Sequence, residues 1–112
     1  MHVGAGRHQT DGLLHAGQRR LSRTGSIPNS LSALEKLTYL DIGQNALSGS
    51  IPFTIGNMSN LMELYLNNNA LTGSIPSTIG NMSNLARLSL DHNALTGSIP
   101  YTIGNMSNLE SL

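Results

Sequence analysis

The chain contains no cysteine, so it has neither a disulfide framework nor a thiolate metal site. Charge is scarce: only 11% of its 112 residues are Asp, Glu, Lys or Arg, and they sum to a formal net charge of zero. A nucleic-acid partner held by phosphate neutralisation is therefore not expected. No stretch approaches the roughly 18 consecutive apolar residues that a membrane-spanning helix needs. The stretch from Met1 to Ser30 also lacks the apolar core of a secretory signal. Catalytic signatures are missing too. There is no G-x-x-x-x-G-K-[ST] phosphate loop and no kinase motif. His8 and His15 flank Asp11, but in an aperiodic, Gly-rich segment with no further ligand. Neither enzymatic activity, nor a bound metal, nor a cofactor is expected of this chain.

What is present is repetition. Gly-Ser-Ile-Pro occurs four times at a constant spacing, beginning at Gly25, Gly49, Gly73 and Gly97. A fixed period of this length is the mark of a solenoid. The unit Gly49–Thr72 matches the unit Gly73–Thr96 at eighteen positions and differs at six. Five of the six changes crowd into one short segment: Met62/Ala86, Glu63/Arg87, Tyr65/Ser89, Asn67/Asp91 and Asn68/His92. A constant frame carries one varied stripe. That pattern suits a recognition surface.

The zero net charge hides an asymmetry. Residues 1–24 carry Arg7, Arg19, Arg20 and Arg23 against Asp11, a net +3. Residues 25–112 carry Lys36 and Arg87 against Glu35, Asp41, Glu63, Asp91 and Glu110, a net −3. Two regions follow: a poorly ordered basic head at 1–24 holding a degenerate partial repeat, and regular 24-residue repeats at 25–112. Counting back one period from Leu37 places Leu13 at the start of that partial repeat. A basic patch for anionic lipid or RNA is the other reading of the head, but its arginines have no aromatic partners.

Three blocks beginning at Leu37, Leu61 and Leu85 each fit L-x-x-L-x-L-x-x-N-x-L, the leucine-rich-repeat pattern. Leu64 and Leu66, two apart, share one face of a short strand, while Glu63, Tyr65 and Asn67 point to the other. One such strand cannot bury its leucines alone, so copies stack as parallel strands over a common core. Asn45, Asn69 and Asn93 recur at the turn leaving each strand and are expected to form a ladder, satisfying backbone groups in their own and neighbouring coils. Pro52, Pro76 and Pro100 end the extended segment and suit the first turn of a short helix. Ile55, Met58 and Leu61 then fall at i, i+3, i+6, an inward stripe. The expected fold is an α/β solenoid, with short parallel strands on one face and short helical or 3-10 turns on the other.

The unit resembles the plant-specific class of leucine-rich repeats, L-x-x-L-x-L-x-x-N-x-L-x-G-x-I-P-x-x-I-G-x-L, over residues 25–112. The resemblance implies a horseshoe segment with strands on its concave face, and a second small strand formed by Leu-x-Gly-x-Ile-Pro. It implies part of the ligand-binding ectodomain of a receptor-like kinase or receptor-like protein, at the plasma membrane or outside the cell. A protein or peptide ligand and a co-receptor are the partners it implies. Alternatives are a secreted inhibitor of the polygalacturonase-inhibiting type and a truncated product without function. The family's cysteine-paired cap and signal peptide have no counterpart in these residues.

The varied stripe supplies the binding candidates: Tyr39, Asp41, Glu63, Tyr65, Asn67, Arg87, Ser89, Asp91 and His92. Stacking sets Tyr39, Glu63, Arg87 and Ser111 in one column and Asp41, Tyr65 and Ser89 in the next. Tyr39, Tyr65 and Arg87 lead, because tyrosine and arginine are the usual anchors at hot spots. The competing reading is a solvated sheet face with a weak Glu63–Arg87 pair. The whole stripe has seventeen residues, below the 20–30 or so a side of a standard interface. Asn57, Asn81 and Asn105 each begin an N-x-S sequon and are candidate glycosylation sites, away from the stripe. Otherwise those Asn and Ser residues cap the helical turn.

Overall fold

The computed structural model describes residues 13–15 and 24–112. Most of the expected basic head, including His8 and Asp11, lies outside the described residues. Eight strands run in chain order: β1 Leu13–His15, β2 Thr24–Ser26, β3 Tyr39–Asp41, β4 Ala46–Ser50, β5 Glu63–Tyr65, β6 Ala70–Gly73, β7 Arg87–Ser89 and β8 Ala94–Leu95. They form two parallel four-stranded sheets, ordered β1-β3-β5-β7 and β2-β4-β6-β8. Short 3-10 helices at Asn29–Ala33, Phe53–Asn57, Ser77–Asn81 and Tyr101–Asn105 complete the coils. No helix among the described residues is long and apolar enough to cross a membrane.

Each coil buries the residues its spacing dictates. Leu40, Leu64 and Leu88 point from the first sheet into the core, with Ile42 and Leu66 just beyond the strand ends. Leu47 and Leu71 enter from the second sheet. Ile55, Met58 and Leu61 close the third side and are at most 1% exposed, because side chains three apart on a 3-10 turn align on one face. No buried residue among those described is polar or charged.

Two expectations need correction. Pro52, Pro76 and Pro100 stand at the N-cap rather than inside the first helical turn; Pro52 is extended, at φ −66 and ψ 141. The 3-10 turn begins at the next residue, since the ring fixes φ while ψ stays extended. Second, β1 pairs Leu14 with Leu40, and Leu13 with Tyr39 rather than with Leu37. Pairing by strand position, not by counting back one period, sets the register of that first coil.

The two sheets also differ in register. In the first, Tyr39 pairs with Glu63, keeping equivalent residues side by side. In the second, Gly49 pairs with Leu71, so each coil is displaced by two residues from the one before. Gly49 and Gly73 hold φ of +77, a left-handed conformation that side chains disfavour. That requirement explains the repeated glycine ahead of Ser-Ile-Pro. The second strand implied by the family pattern is present, ending before Ile-Pro.

Candidate functional site

The first sheet arranges the varied residues in columns. Tyr39, Glu63 and Arg87 pair in succession, and an isolated bridge adds Ser111. Asp41, Tyr65 and Ser89 form the second column. Asn67, Asp91 and His92 follow on the turns, with Asp91 and His92 exposed. All nine candidates therefore lie along one face or its rim. That placement comes from strand alternation, which sends the leucines inward and the residues between them outward.

The side chains make a local network. Tyr65 donates its hydroxyl to Glu63 Oε1 at 2.7 Å. The rings of Tyr39 and Tyr65 lie 5.7 Å apart and are tilted by 50°, an arrangement favoured for aromatic pairs. The hydrogen bond to Glu63 is the main cause that raises the Tyr65 phenol above the ordinary tyrosine range. Burial, then the Asp41 and Glu63 carboxylates, raise that of Tyr39. Both phenols stay neutral at physiological pH. The Ser89 hydroxyl donates to Asp91 Oδ1 at 2.7 Å and holds the Asp91 carboxyl below its usual range. His92 Nε2 stands 3.5 Å from Asp91 Oδ2 on exposed surface.

The Glu63–Arg87 side-chain pair of the competing reading does not form. Their backbones are adjacent, yet their side chains make no ion pair, and the Asp91–His92 contact becomes one only when the imidazole is protonated. Glu63 is engaged by the tyrosine two residues on in its own strand, at shorter reach than an exposed arginine one coil away. Arg87 interacts instead with the Tyr65 side chain.

Beneath this face runs the asparagine ladder. Asn69 Nδ2 donates to Ile42 O of the preceding coil at 3.1 Å and to Leu66 O of its own coil at 3.0 Å. Its Oδ1 accepts from Leu47 N at 3.1 Å. Asn93 repeats the pattern one coil later, to Leu66 O and Leu90 O and from Leu71 N. Asn45 donates to Ile42 O and Gly43 O.

Sequence reasoning missed two further ladders. Asn60, Asn84 and Asn108 donate to the carbonyls of Glu35, Ser59 and Ser83, each in the preceding coil, at 2.8–2.9 Å. Thr78 and Thr102 donate hydroxyls to Phe53 O and Ser77 O at 2.6 and 2.7 Å. The signal was available, since Asn recurs at 60, 84 and 108 and Thr at 54, 78 and 102, one period apart. The same asparagines line a shallow groove of about 550 Å³ with Lys36, Met62 and Glu110, beside the first-sheet face.

Asn57, Asn81 and Asn105 are exposed, each the last residue of its 3-10 helix. The helix N-caps are the prolines, without side-chain hydrogen bonds. Capping by these asparagines therefore does not account for the sequons. Among the described residues no group of three or more His, Cys, Asp or Glu side chains is placed to hold a metal.

A leucine-rich repeat family model matches residues 36–95 and 59–112. Among solved structures, a chain of the BIR3–SERK2 complex from Arabidopsis thaliana is 41% identical with a TM-score of 0.76, covering 80% of this chain and 48% of that one. The SOBIR1 receptor kinase ectodomain from Arabidopsis thaliana is 32% identical, with a TM-score of 0.74 and the same coverage. The Arabidopsis receptor kinase HAESA, solved with the peptide hormone IDA and the co-receptor SERK1, is 33% identical with a TM-score of 0.78. That match covers 90% of this chain and 19% of that one. This chain thus spans half or less of the length of these relatives. No curated protein matches it.

Proposed function

The chain belongs to the leucine-rich repeat family, and on that premise we propose that it is a recognition segment of a plant receptor ectodomain, belonging to a receptor kinase or receptor-like protein. Its ligand is a peptide or protein bound on the first-sheet face, with a co-receptor as a further partner. It acts by binding and carries no chemistry of its own. The observation that carries this reading is the coincidence of variation with exposure: five of six differences between adjacent repeats fall on that face and its rim, over an unchanged buried frame. The HAESA relative, solved with a peptide hormone and a co-receptor, supports it. An extracellular or plasma-membrane setting goes with this function, as does glycosylation at exposed Asn57, Asn81 and Asn105.

Selection of phage-displayed random peptides on the immobilised chain tests the reading. Peptides that bind should lose at least about tenfold in affinity on a Tyr65→Ala plus Arg87→Ala variant, as expected for hot-spot residues. The variant's thermal transition should stay in place. Affinity retained by the double variant would move the site off this face. If secreted from plant cells, the chain should also lose mass on treatment with a peptide N-glycosidase.

A further inference from the structure

Variation is not confined to the first-sheet face. The sixth difference between the units Gly49–Thr72 and Gly73–Thr96 is Phe53 against Ser77, and the next unit has Tyr101 there. Apart from this position, segments 49–60, 73–84 and 97–108 are identical, and none contains a charged residue. Each varied residue opens a 3-10 helix, away from the first sheet. Phe53 is 69% and Tyr101 91% exposed, and Ser77 between them is exposed as well. The backbone beneath is held in place. The Thr78 hydroxyl donates to Phe53 O at 2.6 Å and the Thr102 hydroxyl to Ser77 O at 2.7 Å, so neighbouring turns are in direct contact. At a strand spacing of about 4.8 Å per coil, the backbones carrying the two rings are about 10 Å apart along the solenoid. Beside Phe53 a shallow groove of about 530 Å³ is lined by Ser50, Pro52, Ser74 and Pro76, with no charged residue in its wall.

We infer that this strip is a second binding site, for a neutral, extended β-1,4-linked hexose chain. An exposed aromatic ring is a flat apolar surface, which the C–H face of a pyranose covers. In a β-1,4-linked chain each sugar advances by about one coil step, and successive sugars are turned over. Alternate sugars therefore present the same face two steps apart, which is the separation of Phe53 and Tyr101. Ser77 carries no ring and leaves room for the sugar between them. The exposed hydroxyls of Ser50 and Ser74 border the path and can exchange hydrogen bonds with those of the sugar. Charge decides against other occupants. A polyanion, an anionic membrane or a charged peptide finds no countercharge on these segments, whereas complementary surfaces match in sign. The threonine contacts fix the spacing of the rings before binding, which lowers the cost of ordering them. This site shares no residue with the first-sheet face and stands independently of the peptide reading.

The test titrates the full chain with cellotetraose, cellobiose, maltotetraose and tetragalacturonate while aromatic ring signals are followed by NMR. Phe53 is the single phenylalanine, so its signals need no separate assignment. Cellotetraose should shift the Phe53 and Tyr101 rings saturably. It should bind about fivefold or more tighter than cellobiose, which reaches only one ring, the scale of one stacked aromatic contact. Maltotetraose, whose α linkages curl the chain, and tetragalacturonate, which is charged, should bind no better than cellobiose. Phe53→Ser and Tyr101→Ser each copy the neighbouring coil and should keep the circular dichroism spectrum unchanged. Each should weaken cellotetraose to the level of cellobiose. Full affinity in both variants overturns the site. Maltotetraose or tetragalacturonate binding as tightly as cellotetraose overturns the match of spacing and charge on which it rests. Rings unmoved by all four saccharides overturn it too. Ring shifts that grow with protein concentration alone would assign the strip to a second copy of this chain, and the glycan site falls.

Discussion

Asn69 Oδ1 accepts the backbone N–H of Leu47, 22 residues earlier, at 3.1 Å, while the same amide's nitrogen donates to Ile42 O in the preceding coil and Leu66 O in its own. One side chain thereby ties the exit of the first sheet to the entry of the second, across two coils. The amide is suited to this because it offers a donor and an acceptor on one rigid plane. A carboxylate offers only the acceptor.

Asn69→Ala should therefore destabilise the array by about 1–3 kcal/mol, the cost of leaving backbone groups unsatisfied. Asn69→Asp should be at least as damaging, because it faces carbonyl oxygens with a second acceptor. Thermal unfolding by circular dichroism checks both, and an unmoved transition for Asn69→Ala would remove the ladder's role.

Adding a methyl at Gly80 should also destabilise, through contact alone. A Cβ there would lie 2.6 Å from both the Cβ and the backbone oxygen of Thr102 in the next coil, and overpacking of this kind costs about 1–3 kcal/mol. Gly104 occupies the same repeat position with nothing within 4 Å. Gly104→Ala should be neutral or slightly stabilising. Equal denaturant midpoints for the two alanine variants would contradict the close stacking of the 3-10 turns.

Left-handed backbone sits at Gln44, Asn68 and His92, with φ of 58–59. Asparagine tolerates this region better than glutamine. Gln44→Asn, which copies the neighbouring repeat, should stabilise by a few tenths to about 1 kcal/mol. Urea titration of the variant beside the parent chain would show it as a higher midpoint.

The phenol of Tyr65 should titrate above the ordinary tyrosine value, chiefly because it donates to Glu63. A raised pKa in the folded state means stability present below the unfolded tyrosine pKa of about 10 and lost as pH rises through the folded value. Glu63→Gln removes the anionic acceptor and should bring that phenol down. Ring NMR shifts followed through alkaline pH would read this directly, and an unmoved midpoint would break the link.

Much of this was legible in the residues. The strict period assigned strand, turn and short helical segment to each coil, because alternation and three-residue spacing fix which face a side chain takes within a coil; the second strand came from the family resemblance. The columns of the first-sheet face followed from the same period. Less visible were relations between coils. Counting back one period placed Leu13 under Leu37, whereas strand pairing sets it against Tyr39. Charge alone suggested Glu63 for Arg87, but the hydroxyl of Tyr65 is the partner. Asn60 and Thr78 reach carbonyls of the preceding coil, which only the packing shows.

The sequence by itself determined the repeating unit, its buried leucines and the stripe that varies, since each follows from spacing along one chain. Only the tertiary structure decided the two-residue displacement of the second sheet, the close stacking of Gly80 on Thr102, and the hydrogen bond from Tyr65 to Glu63. Those depend on how one coil slides and rotates on the next, and on which of several polar partners a side chain reaches first. Spacing along a chain specifies neither.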